Sequence, residues 1–179
     1  GRTRVHGIQT WIALPRAEEE REPSFAHHGA ASLPRIERPG AILTVIAGTA
    51  YGKQSPVDVF SPTLYVDAQL AGRAAIGVTG EHEQRACDVS QGRIEIAGQA
   101  YGEGQLIVLA SAAGPVSITA LQASRVMLAG GAPLDGPRHI YWNFVSSTRE
   151  RIEAASRDWR EHRFAPVPGD AERIPLPDE

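Results

Sequence analysis

Over most of the chain apolar and polar residues alternate singly in short runs cut by Gly or Pro, and only near the C-terminus does the apolar spacing lengthen to three and four. Thr63 to Leu70 shows the alternation best, with Leu64, Val66, Ala68 and Leu70 on one side and Tyr65, Asp67 and Gln69 on the other. Successive side chains of a strand point to opposite faces, so this pattern predicts one buried face and one wet one. Asp67 and Gln69 are expected in solvent, with the mouth of a barrel as the other reading. Arg93 to Ile96 repeats the pattern with Ile94 and Ile96. Further strands are expected at Gly7 to Leu14 (ended by Pro15), Ala41 to Ala47 (with Gly48 after it), Val57 to Phe60, Ala86 to Val89, Leu106 to Leu109, Val116 to Ala120 and Ser124 to Ala129. Pro56 and Pro62 bracket Val57 to Phe60, where a missing N–H is tolerated. Turns fall at Ser90-Gln91-Gly92, Ala97-Gly98 and Gly102-Glu103-Gly104. Short strands reversed at such close intervals imply a small all-β barrel or sandwich.

Two segments depart from this pattern. Glu22-Pro23 through Pro39-Gly40 is rich in Pro, Ala, Ser and charge and follows the charge run Ala17 to Glu22, which reads as a linker or an arm on a neighbour. Near the C-terminus, Ser147-Thr148-Arg149-Glu150 matches a capping box and predicts a helix from Thr148 to about His162. Ile152, Ala155 and Trp159 would form its apolar face, followed by Phe164, with Glu153 and Arg157 as an i,i+4 pair on the wet side. Trp159 reads as a packing anchor. Pro166, Pro168, Gly169, Pro175 and Pro177 make an extended tail.

Composition narrows the functional classes. The chain has 179 residues, a formal charge of −3 and a single Lys, Lys53, so no cluster of cations favours phosphate backbones and no direct nucleic-acid binding is expected. The single Cys87 excludes an intrachain disulfide and suits a reducing, cytoplasmic setting. No membrane span is expected from hydropathy. The opening Gly-Arg-Thr-Arg runs at once into HGIQTWIAL, as in part of a longer protein.

The stretch Gly92 to Leu109 is similar to the core of cupins, whose first motif carries an H-x-H and then a Glu ahead of a hairpin Gly, and whose second motif carries a further His. With Gly92 as that hairpin glycine, the resemblance places the Glu at Gln84 and the two His at Val78 and Gly80; counted from Gly104, the second-motif His falls on Pro115. Val and Gly cannot ligate, and an amide oxygen is a poor donor compared with carboxylate or imidazole. A slip of register would bring in His82 and Glu83, still only two ligands. His27-His28 sits in the arm and reads as solvated. The expectation is no catalytic, cofactor-binding or metal-ligating residue in this chain. General acid-base work by His82, Glu83 or Asp88 would need convergence that strand neighbours lack. Cys87, in an apolar strand, reads as inert, and no G-x-S-x-G is present.

The run GG-x-PL-x-GPRHI-x-WNFVSS from Gly130 to Ser147 strongly resembles the C-terminal end of bacterial pirin-like proteins. HGIQTWIALP, SPTLYVDAQL and the strand after Gly104 fit the same pattern in the same order. The resemblance implies a cupin-type, jelly-roll-like β-barrel with a C-terminal amphipathic helix packed on it. It divides the chain into a strand from the N-terminal cupin or its connection (1–14), a linker arm (15–40), the C-terminal cupin barrel (41–130), and a crossing segment, helix and tail (131–179). Pirins are bicupins whose N-terminal barrel binds Fe(II) through three His and one Glu and whose C-terminal barrel usually lacks metal; His6 matches a family His outside that ligand set. Family activities include quercetin 2,3-dioxygenase chemistry, with flavonol and O2 at open iron positions, and a redox-responsive regulatory role. The implied partner is the N-terminal cupin of the same protein. A stand-alone interaction module using Trp11 or the Pro-rich arm is the alternative, and the same apolar area suits a homodimer.

Overall fold

The computed structural model describes residues 7–110, 114–166, 169, 172 and 174–177. These fall into two compact units: one spans Glu22–Pro133, and the other combines the residues up to Arg21 with those from Leu134 onward.

The first unit carries eleven strands: β1 (Arg35–Arg38), β2 (Ala41–Ala50), β3 (Lys53–Gln54), β4 (Thr63–Leu70), β5 (Ala75–Val78), β6 (Gln84–Gln91), β7 (Arg93–Ile96), β8 (Gln99–Gly102), β9 (Leu106–Leu109), β10 (Val116–Ala120) and β11 (Ser124–Gly131). One sheet has the order β1-β2-β4-β11-β6-β9 with β3 beside β2, and the second has the order β5-β10-β7-β8. Every pairing between these strands is antiparallel. The two sheets bury one common core: Leu43, Val45, Val66, Cys87, Val89, Val126 and Leu128 from the first, Ile76, Val78, Ile94 and Ile118 from the second. This is the expected all-β, cupin-type fold, and its long strands follow the alternation seen in the sequence. In β4 the apolar set Leu64, Val66, Ala68 and Leu70 is buried as expected.

The hairpins obey local chemistry. β7 and β8 are joined by Ala97 and Gly98, both at positive φ (51° and 80°), the backbone twist a two-residue hairpin needs. At the β6–β7 turn, Gly92 has φ +87°, and a Cβ there would stand 2.5 Å from both Ala123 O and Ser124 Oγ. Ser124 Oγ instead accepts the Arg93 N–H at 3.0 Å.

Several expectations are corrected. Gly7 to Leu14 is not a strand: alternation alone is insufficient without a ladder partner, and none pairs with it among the described residues; Ile8, Trp11 and Ile12 are each about half exposed. Val57 to Phe60 is a loop, because Ser55 Oγ accepts the Val57 N–H (3.2 Å) and donates to Ile46 O (2.6 Å), a local bond that competes with strand pairing. Gly48 does not end its strand. β2 continues through it to Ala50 with a shift of register between Val45 and Ala47, as at a β-bulge. The end of the Pro-rich arm is itself ordered as β1 against β2. Asp67 does not face open solvent: its carboxylate receives Arg125 Nε and Nη2 at 2.7 and 2.8 Å across the β4–β11 pair.

The second unit contains the hairpin β12 (His139–Tyr141) and β13 (Phe144–Ser146) and one helix, α1 (Arg149–Arg160), packed on that hairpin. The cap lies one residue later than the sequence suggests: Thr148 Oγ1 accepts the Arg151 N–H at 3.3 Å, while Ser147 turns its hydroxyl to Glu19. Ile152 and Ala155 are buried, whereas Glu153 and Arg157 are exposed as expected. Trp159 anchors an aromatic cluster, with ring centroids 5.0 Å from Trp142, 6.4 Å from Phe144 and 5.5 Å from Phe164. Its indole N–H donates to Ile174 O at 2.9 Å. Pro168, expected in the tail, lies outside the described residues.

Arg138, from the GPRHI run, is the polar centre of this unit, its side chain only 4% exposed. It pairs with Glu19 Oε1 (2.6 Å) and Asp135 Oδ1 (2.5 Å) and donates through Nη2 to Leu14 O (2.7 Å). Glu19 Oε2 in turn accepts the Ser147 N–H and hydroxyl at 3.1 and 2.8 Å. Burial raises the Glu19 pKa, but the Ser147 bonds, the Arg138 charge and the Ser146 hydroxyl outweigh it and hold the carboxyl below its usual value. Asp135 is also lowered, first by its hydrogen bond from Arg138 and then by the Arg16 N–H.

Two expected outcomes follow from these contacts. At Gly48 φ is +73° and an added Cβ would stand 1.8 Å from Thr63 O, so Gly48→Ala should lose about 3 kcal/mol or more in urea unfolding. Glu19 and Asp135, lowered in the folded state, bind fewer protons folded than unfolded, so their stabilisation is present above their ordinary values near 4.5 and 3.8 and is lost as pH falls through the folded ones. Thermal melts followed by tryptophan fluorescence from pH 7 to pH 3 should therefore fall for the parent chain, and Glu19→Gln should be less stable at pH 7 with a shallower acid dependence.

Candidate functional site

The cupin resemblance directs attention to the end of the first unit where β5 and β9 finish and β6 and β10 begin. β5 buries Ile76 and Val78 and exposes Ala75 and Gly77, so Val78 faces the interior, and Gly80 follows it two residues on. On β6 the inward set is Arg85, Cys87 and Val89. Gln84 is exposed and belongs to the opposite face. The expected Glu position is thus one residue off: strand side chains alternate, so a shift of one exchanges faces, and the residue that enters the barrel is Arg85. Pro115 is exposed and stands immediately before β10.

Arg85 is 2% exposed. Its Nη1 donates to Thr79 O at 3.0 Å and to Gly114 O at 3.2 Å, and its Nη2 to Ala110 O at 3.4 Å. The sequence holds a signal for this residue, since Arg85 is in phase with Cys87 and Val89, but an arginine next to Glu83 and Gln84 reads as part of a wet turn. His82 is also buried, yet its Nε2 lies 3.0 Å from Thr49 O and is engaged by the main chain. Glu83 is exposed. The structure therefore does not bring His82 and Glu83 together as a donor pair.

The positions that would hold a cupin metal carry Val78, Gly80, Arg85 and Pro115, which offer no imidazole, carboxylate or thiolate. They do not fit the ion, and a guanidinium with no lone pair to give stands among them. Among the described residues, no three His, Cys, Asp or Glu side chains gather as a metal site. Cys87 is fully buried, and burial, followed by the Asp88 charge, pushes its thiol up to about 12. A thiol so raised is protonated and unreactive near neutrality. Tyr51 is likewise raised to about 12 by burial, against the Arg38 guanidinium that lies 4.9 Å over its ring. Asp88 accepts the Ser90 hydroxyl at 3.1 Å.

One open surface cavity, of about 650 Å³, is lined by Gly48, Thr49, Ser55 and Thr63 among others at the end of the first sheet that also carries Arg85, and two more are lined by other residues. One of about 680 Å³ in the first unit is lined by residues including Arg38, Gln69, Gln91, Ser124 and Arg125. The register pairs Ser124 with Leu70 and Arg125 with Gln91, whereas Gly131 pairs with Thr63 and Gln84, so this cavity is at the other end of the sheet from Arg85. A second, of about 620 Å³, lies in the second unit between β12 and α1 and is lined by Arg149, Arg157 and Arg160 with Glu153, His139 and Tyr141 among others. His27 and His28 stand in the arm, and His6 lies outside the described residues. No helix among the described residues is long and apolar enough to cross a membrane.

Comparison with known proteins agrees with the fold. Residues 65–165 match the model of the pirin C-terminal cupin domain. The chain is 44% identical over 98% of its length to a pirin-like protein of Caulobacter vibrioides, of which it covers 61%. It is 29% identical over 87% of its length to the pirin of Rattus norvegicus, covering 56% of that protein. A crystal structure of quercetin 2,3-dioxygenase from Acinetobacter baumannii superposes with a TM-score of 0.83 at 28% identity, over 93% of this chain and 56% of the other. The chain thus spans somewhat more than half the length of each of these three proteins. With a cupin fold built from the expected long strands, the Gly130–Ser147 run placed on β11, β12 and β13, and this match to the C-terminal domain, the chain belongs to the pirin family.

Proposed function

We propose that this chain is the metal-free C-terminal cupin half of a two-domain pirin, and that a non-haem Fe(II) site belongs to an N-terminal cupin outside the residues present here. The observation that carries the reading is Arg85, an inward-facing cation at a position where a metal-holding cupin presents a carboxylate. The length of the relatives supports the second domain, since the chain covers 61% and 56% of two of them. On this reading residues 1–14 belong to the N-terminal cupin or its connection, 15–40 form the arm, 41–130 the barrel, and 131–179 the crossing, helix and tail. The parent activity is quercetin 2,3-dioxygenase-like or redox-regulatory, in a cytoplasmic protein. Iron, where bound, supplies Lewis acidity and open coordination positions. This half contributes a stable barrel and one wall beside the partner domain.

The half-exposed Ile8, Trp11 and Ile12 favour a second reading as an interaction module without catalysis. Both readings make this segment a contact surface, because large apolar side chains in unpaired backbone gain most from being covered. They differ in the occupant: the N-terminal cupin of the same protein, or an unrelated protein.

Elemental analysis of the 179-residue chain, loaded anaerobically with Fe(II) and desalted, should give close to no iron per chain, and the loaded chain should not consume quercetin. Iron near one per chain, or turnover by the chain alone, would overturn the metal-free reading. Mixed with a separately produced N-terminal cupin, the chain should form a one-to-one complex by light scattering, and Trp11→Asp should weaken it about tenfold or more. A complex unaffected by Trp11→Asp would remove that segment from the interface.

A further inference from the structure

Among the described residues, the acceptors of Arg85 come from two connections, β5–β6 and the two ends of β9–β10. Thr79 lies between Val78 and Gly80, just past β5; Ala110 follows the last residue of β9; Gly114 precedes Pro115 and β10. Arg85 itself opens the inward face of β6. The guanidinium therefore bonds main chain adjoining the Val78, Gly80 and Pro115 positions, and it occupies the fourth position with its own side chain.

We propose that Arg85 is a built-in replacement for the metal ion: its guanidinium ties the ends of β5, β6, β9 and β10 together, and its charge keeps divalent cations out of the barrel. The proposal deepens the metal-free reading above and rests on it. A guanidinium stays protonated at every pH at which a protein folds, and its planar fork can serve several carbonyls at once. A divalent ion at the same point would need anionic or imidazole donors, which are absent, and would meet a like charge with little water to screen it. A Cβ added to Gly80 would meet nothing within 4 Å, so histidine can be put back there.

The test compares cobalt binding, read by visible absorption, in chains given two histidines, Val78→His with Gly80→His, in which Arg85 is kept, changed to Leu, or changed to Glu. With Arg85 kept, Co2+ should bind weakly; Arg85→Leu, which removes the charge and adds no ligand, should tighten binding about tenfold or more, and Arg85→Glu should tighten it further. Equal affinity in the chain that keeps Arg85 and the chain carrying Arg85→Leu would overturn the exclusion. In the otherwise unaltered chain Arg85→Leu should lower the Tm by roughly 5–15 °C, and Arg85→Lys by less, because the carbonyls lose a charged donor. In the two-histidine chain carrying Arg85→Glu, added Co2+ should restore the loss. An unchanged Tm in Arg85→Leu would overturn the tie. Should the variants not fold, NMR of the parent chain decides: a held guanidinium gives resolved, slowly exchanging Nη signals for Arg85, and a single averaged, rapidly exchanging signal would sink the proposal. Metal uptake by the parent chain would instead sink the metal-free reading, so the two failures are separable.

Discussion

A charge that cannot be neutralised, placed inside a barrel, must be surrounded by acceptors, and much of the first unit's mouth is arranged around that requirement. Arg85 faces inward because Cys87 and Val89 do, on a strand fixed on one side by eight-residue β11 and on the other by β9. Its direction is thus decided by register, and its desolvation must be offset locally by hydrogen bonds to ionised donors, which are stronger than neutral ones. Main-chain carbonyls at strand ends suit this role because they have left the ladder and still need a donor. The same bonds join the paired ends of β6 and β9 in one sheet to the paired ends of β5 and β10 in the other.

The second unit solves a similar problem with carboxylates. Arg138 is nearly as buried, but it meets Glu19 and Asp135, and the resulting network reaches the Leu14 carbonyl and the Ser146–Ser147 turn before α1. Breaking a buried pair strands its partner, so the pair specifies geometry even where its net contribution is small. The GPRHI segment, which carries the family resemblance, therefore has a structural role: its arginine joins the start of the chain to the start of the last helix.

Legibility tracked length and asymmetry. β4, β7, β9, β10 and β11 were readable because their faces differ or their apolar runs are bounded by turns, and Ala97-Gly98 because few residue pairs accept two positive φ angles. The short pieces β1, β3, β8, β12 and β13 carry too few residues for a period to show; they exist through pairing with neighbours, a non-local fact. Gly7 to Leu14 errs the other way, with a strand-like pattern and no partner among the described residues. At the mouth the sequence sufficed to remove three ligands, since Val78, Gly80 and Pro115 have no donor whatever their placement. It could not separate Gln84 from Arg85, because neighbouring strand residues differ only in face and the hairpin glycine sets the count to within a residue or so. Likewise Asp67 reads as solvated until β11 places Arg125 diagonally across from it, opposite Gln69.

An arginine in place of a metal changes what the barrel depends on. Stability drawn from a bound ion varies with its supply and with the protonation of its ligands, and an iron site adds oxidation state to the list. A guanidinium is part of the chain and keeps one charge state. On the same inward face of β6, the Cys87 thiol is pushed up to about 12 by burial and stays protonated near neutrality.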